Sequence, residues 1–168
     1  MSSSIIKLQN VKGGIISVLT MTAILGGFFV AGTALAAHTA TVEVDPGLVP
    51  ASVENIDFSF TIIKDSGDDI YYVKIQTSDF TINTNEATVS CPDGLGVWTK
   101  SVTASQVVCQ RDPIDGQPIT TSAVISLQAS APASDVTSNW TVTTLDILNN
   151  TQANYPTTVV DATPPTIE

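Results

Sequence analysis

Basic residues are scarce in this chain. Its 168 residues hold six Lys and Arg against sixteen Asp and Glu, a formal net charge of −10. Nucleic-acid binding needs a basic footprint to neutralise phosphates, so that class is excluded. Docking on anionic lipid fails for the same reason. Histidine is scarcer still, since His38 is the only one. It falls where an N-terminal leader is expected to end. No histidine then remains inside the expected fold for a Ser-His-Asp arrangement or a zinc set. The chain also lacks a phosphate loop and a His-Glu-x-x-His segment. Without those motifs, phosphoryl transfer and zinc hydrolysis have no foothold. Acids are plentiful enough for a paired-carboxylate glycosidase, but they lie scattered over turn segments, where they read as solvated charge. The chain is therefore read as non-catalytic. Helix signals are absent after Ala37, because no window there repeats its apolar residues every 3.6 positions.

What is present begins with an export signal. Lys7 and Lys12 precede a stretch from Gly13 to Ala37 that carries no charge. Its apolar part, residues 15–30, runs into Ala34-Leu35-Ala36-Ala37, a small-residue cleavage pattern. Residues 1–37 are read as a signal peptide cut after Ala36 or Ala37. A retained membrane anchor is the alternative, since the run is long enough to span about 30 Å of hydrocarbon. A prepilin-like leader is a third reading, because Lys12-Gly13-Gly14 directly precedes the apolar run. The Glu usual at the fifth mature pilin position is missing, with Leu19 or Val18 in its place. Each reading puts residues from His38 onward outside the cell. That part keeps four cations, Lys64, Lys74, Lys100 and Arg111, against all sixteen acids, a net −12. Such a surface stays apart by self-repulsion or gathers cations.

The remaining chain, about 130 residues, suits one domain with a sizeable core. Ala40, Val42 and Val44 alternate with Thr41, Glu43 and Asp45 before an Asp45-Pro46-Gly47 turn. Ile56, Phe58, Phe60 and Ile62 form the cleanest half-buried strand. After the turn Asp65–Asp69, Tyr71, Val73 and Ile75 are expected to face inward, followed by Phe80 and Ile82. Further short strands are expected over Ala87–Cys91, Val97–Val102, Gln106–Cys109 and Ala123–Leu127. Trp140 and Val142 open the penultimate strand. The phase slip from Val142 to Leu145 and Ile147 suggests a bulge on it. Thr157–Asp161 closes the domain. Eight or nine short strands with frequent turn signals are the pattern of an all-β sandwich.

Two stretches carry a resemblance. The tail reads Trp140-Thr-Val-Thr-Thr-Leu-Asp146, an Asn149-Asn150 turn, then Val160-Asp161-Ala-Thr-Pro164-Pro165-Thr-Ile. The head reads Val42-Glu-Val-Asp-Pro46, an apolar strand, the Asp65-Ser-Gly-Asp-Asp69 turn and Tyr71-Tyr-Val-Lys-Ile75. Both resemble immunoglobulin-like modules of prokaryotic cell-surface and adhesin-type proteins. The middle, Cys91 to Pro118, departs from a minimal module. The resemblance implies an Ig-like antiparallel β-sandwich over residues 38–161, with 162–168 a linker or the start of a following module. It also implies an extracellular or cell-surface protein with a structural or adhesive role. Its partners would be other surface proteins, neighbouring modules or copies of itself. The alternatives are a subunit of an extracellular filament or pilus, built by strand exchange or a retained helix, and a carbohydrate-binding or accessory domain of a secreted enzyme.

Candidate sites follow from the residues. Outside the cell, Cys91 and Cys109 are expected to be bonded. They close a loop of 18 residues, worth roughly 3 kcal/mol in the entropic account. The bond is expected to clip the hairpin around Trp98. Asp65, Asp68 and Asp69 are the first candidates for calcium ligands, with Asp112, Asp115 and Asp161 behind them; otherwise no cofactor is expected. The competing account of these acids is turn chemistry. Asn139 and Asn149 head Asn-x-Thr sequons. Tyr71, Tyr72, Trp98 and Trp140 are the aromatics available for a glycan platform, although Tyr71 and Trp140 sit at core spacing.

Overall fold

The computed structural model describes residues 37–92 and 94–163. The leader expected over 1–37 lies, but for Ala37, outside the described residues, as do residues 164–168 of the expected linker. Among the described residues no helix is long and apolar enough to cross a membrane.

The strands in chain order are β1 (Thr39–Asp45), β2 (Leu48–Pro50), β3 (Ile56–Ser66), β4 (Ile70–Gln76), β5 (Thr81–Ile82), β6 (Gly96–Thr103), β7 (Gln106–Gly116), β8 (Ser122–Ser130), β9 (Val136–Asn139), β10 (Thr141–Asp146), β11 (Thr151–Asn154) and β12 (Thr157–Asp161). One sheet runs β1-β3-β8-β5 and a second runs β11-β10-β4-β7-β6. A small third sheet, β2-β12-β9, pairs β12 parallel to β2 and antiparallel to β9. The result is the antiparallel β-sandwich that the alternation implies.

Period-two patterning builds the core. Phe58, Phe60 and Ile62 of β3 are fully buried, as are Ile125 of β8, Ile75 of β4 and Val142 of β10. Trp140 sits at the centre, its ring 4.9 Å from Phe80, 5.0 Å from Phe58 and 5.1 Å from Phe60. Its buried indole N–H donates to Thr158 Oγ1 at 3.1 Å, which is what a buried tryptophan requires.

Three details differ from the sequence reading. Ala87–Cys91 is not a strand. Asn85 caps a short 3₁₀ turn over Glu86–Thr88, and only Ser90 makes an isolated bridge, to Ser126 of β8. The hairpin halves are not brief, since β6 has eight residues and β7 eleven. The bulge does not lie on β10, which alternates cleanly and turns Thr144 and Asp146 inward while Leu145 is half-buried and Ile147 exposed. It lies on β4: Leu145 pairs with Tyr72 and Asp146 with Ile70, leaving Tyr71 as the extra residue. The apolar letters at 145 and 147 misled because the inward positions there are polar.

Candidate functional site

The strand ends around the β10–β11 turn hold a buried polar network. His38 leads into β1 and is buried, 3% exposed. Its Nε2 shares a 2.7 Å hydrogen bond with Thr144 Oγ1, and its Nδ1 lies 3.5 Å from Asp146 Oδ2. This corrects the expectation that no histidine enters the fold. Asp146 in turn organises the turn above it. Its Oδ1 accepts the backbone N–H of Leu148 at 2.8 Å and of Asn150 at 2.9 Å, and its Oδ2 accepts Asn150 Nδ2 at 2.8 Å. Burial pushes the Asp146 carboxyl up, but the Asn150 side chain and backbone, the Leu148 backbone and His38 outweigh it and hold the carboxyl below its ordinary value. Hydroxyl, imidazole and carboxylate thus line up, yet Thr144 has no exposed surface. The line is a sealed structural network.

Beside this network a cleft of about 220 Å³ opens to solvent. The β4 bulge shapes it. Consecutive strand residues normally point to opposite faces, but a bulge re-aims one of them. Tyr71 and Tyr72 consequently both line the cleft, together with Gln110 and Arg111 of β7. The Asp146 turn supplies the far wall through Asn149, which sits at φ +60°. The Arg111 guanidinium lies 4.5 Å over the Tyr71 ring, a cation–π contact, and its Nη1 donates to the Gly116 carbonyl at 3.2 Å. Gly116 faces Gly96, at φ +73°, across the β6–β7 pair. A side chain on Gly116 would strike Val97 O and Arg111 Cγ, so the glycine permits the approach that fixes the guanidinium.

Most other candidate residues have local duties. Cys91 and Cys109 are bonded, with Cα atoms 5.6 Å apart. Cys109 is buried on β7, whereas Cys91 follows Ser90, which bridges β8 in the opposite sheet. The bond therefore ties one sheet to the other and does not clip the hairpin. β7 is already laddered to both β6 and β4. Asp65 accepts the Thr41 hydroxyl at 2.8 Å, and Asp69 forms a 2.6 Å ion pair with Lys64. Asp68 is half-buried in the same turn. Asp112 Oδ1 accepts the N–H groups of Ile114 and Asp115, which lower its pKa. Asp161 accepts the Thr163 N–H at 2.8 Å, and bonding to Thr163 lowers its pKa as well. Among the described residues no three His, Cys, Asp or Glu side chains gather where they could hold a metal ion. Asn139 on β9 and Asn149 are both exposed. Of the four aromatics, Trp140 is core and Trp98 is half-buried with its N–H on the Gln117 carbonyl at 3.0 Å. Only the two tyrosines meet in a cleft. No sequence signal marked Arg111 or Gln110 as their companions, because strand register alone brings β7 to β4.

No protein-family model and no curated protein sequence matches the chain. Solved structures do. A cohesin module from a Clostridium perfringens family 33 glycoside hydrolase aligns with a TM-score of 0.50 at 8% identity, over 74% of this chain and 97% of that one. The major pilin subunit of Bacillus cereus gives 0.45 at 10% identity, over 73% of this chain and 40% of the pilin. A non-cellulosomal cohesin from the archaeon Archaeoglobus fulgidus gives 0.44 at 9% identity, over 73% of this chain and 91% of that one. The likeness is one of fold. What the chain shares with the cohesin module is the antiparallel β-sandwich itself.

Proposed function

We propose that this chain is a non-catalytic, immunoglobulin-like module that works at the cell surface in adhesion or as a structural element. The observation that carries the reading is the sealed Thr144–His38–Asp146 network. The hydroxyl lined up with an imidazole is fully buried, so a substrate has no path to it, and a nucleophile must reach its substrate. The open cleft beside it is lined by aromatic, amide and guanidinium groups, the chemistry of recognition. The disulfide and the strongly acidic balance suit an oxidising exterior and a surface kept soluble by like charge.

The test is surface labelling. A membrane-impermeant amine reagent applied to intact cells of the producing organism should modify Lys74 and Lys100 as fully as in broken cells. Protection of both lysines until the cells are broken would overturn the surface assignment.

A further inference from the structure

The cleft between the two tyrosines and the Asp146 turn is built more deliberately than an accidental surface dip. A bulge spends one residue of β4 to bring Tyr71 round beside Tyr72. Bulges cost ladder pairing and are concentrated where a side chain has to be re-aimed for use. The Gly96–Gly116 approach and the Gly116 carbonyl fix Arg111 over Tyr71. The buried Asp146 network fixes the opposite wall, where Asn149 stands. Three separate devices thus hold one cleft in shape.

Its contents define a ligand class. One face of the Tyr71 ring is covered by the guanidinium, so Tyr72, half-buried, is the ring left for stacking. Around it stand amide groups on Gln110 and Asn149, and the Arg111 fork, which gives one N–H to Gly116 and has further donors for hydroxyl groups. An aromatic face ringed by amide and guanidinium groups matches a ligand with one apolar face and a rim of hydroxyls. The charge balance of the lining is close to neutral, because its one cation, Arg111, is offset by its one carboxylate, Asp146. The acidic chain around it repels polyanions. At about 220 Å³ the cleft is smaller than the roughly 300–1,000 Å³ of drug-sized sites, room for one ring and not several.

We infer that this cleft binds the terminal residue of a neutral glycan, with Tyr72 stacking on the sugar ring and Gln110, Asn149 and Arg111 bonding its hydroxyls. The inference rests on the reading of the chain as an adhesive surface module and names the site that does the adhering.

The experiment is an array of immobilised oligosaccharides probed with the full exported chain. The array carries neutral termini (glucose, galactose, mannose, N-acetylglucosamine) beside sialylated and sulfated ones. Binding to one or more neutral termini is expected. Tyr72→Ala should then weaken the affinity for the best neutral glycan by about tenfold or more, as loss of a central aromatic contact does. Tyr72→Phe should keep most of it. Arg111→Gln should also weaken it, with circular dichroism showing both variants folded. Binding confined to acidic glycans, or binding to none, would overturn the inference. So would full binding by a folded Tyr72→Ala variant. Surface labelling is independent of this result, so a surface protein that ignores every glycan refutes the cleft alone.

Discussion

His38 and Asp146 show how much one residue pair can decide. The carboxylate answers two backbone N–H groups, one side-chain amide and a buried imidazole. An amide in its place keeps one acceptor oxygen but turns an N–H₂ group toward Asn150 or His38. Asp146→Asn should therefore cost about 1–3 kcal/mol, the usual range for leaving buried polar groups unpaired, read from denaturant midpoints. The pH dependence has a definite sign. A carboxyl held below its unfolded value, about 3.9, contributes stability that is present above that value. That stability is lost as pH falls through the folded pKa. Acid titration of the native protein should show this loss below about pH 4, and Asp146→Asn should flatten part of it. Asp112 and Asp161, both lowered by their own hydrogen bonds, account for a share that the variant keeps. An unchanged acid slope would remove Asp146 from this role. None of the network was legible beforehand. His38 and Thr144 are 106 residues apart, and a histidine next to a cleavage pattern carries no mark of burial. By contrast Phe58, Phe60 and Ile62 could be placed at once, because alternation over several residues is a local signal with one physical meaning.

At the scale of elements, alternation identified β1, β3 and β8 and the inward faces of each, while β12 was placed only as the closing strand. It failed where an element bent. Tyr71-Tyr72 reads as one residue in and one out, and the letters do not disclose a bulge, because tyrosine suits either side of a sheet. Cys91 misled in the same way, since a short apolar alternation over 87–91 can be met by a capped 3₁₀ turn and one bridge. The disulfide consequently has a larger task than the hairpin clip expected of it. It joins β7 to the segment that lies along β8. Replacing both cysteines by Ser should lower stability by about 3 kcal/mol on the loop-entropy account. The loss should be felt in both sheets. Hydrogen exchange should show faster opening along residues 83–91 and in β8 as well as β7. Changes confined to β6 and β7 would return the bond to the hairpin.

At the scale of the molecule, the question is what keeps two stacked sheets from offering their edges to neighbours. On one side the amide of Gln152, on β11, makes two bonds to Ala40 of β1. Its Oε1 accepts the Ala40 N–H at 2.5 Å and its Nε2 donates to the Ala40 carbonyl at 2.9 Å. The side chain imitates a strand and closes the gap between two edge strands. On the other side Lys100 of β6 donates to the carbonyls of Glu86 at 2.6 Å and Val89 at 2.8 Å. Gln152→Ala should leave the Ala40 groups unpaired at an edge and promote concentration-dependent self-association, measured by light scattering on size-exclusion fractions against the parent chain at equal concentration. A variant no more associated than the parent would show that the Gln152 amide does not guard this edge. The chain enters the sandwich at the Asp146 turn, where His38 is held. It leaves at the opposite end, where the Ala51 N–H donates to the Asp161 carbonyl at 2.9 Å. A pull between those two points runs along β1 and β12 and not across them. The seven residue pairs that join β1 to β3 would then be strained together as a lap joint instead of peeling one after another. A module anchored at one end and gripped at the other would resist tension better than its thermodynamic stability alone suggests.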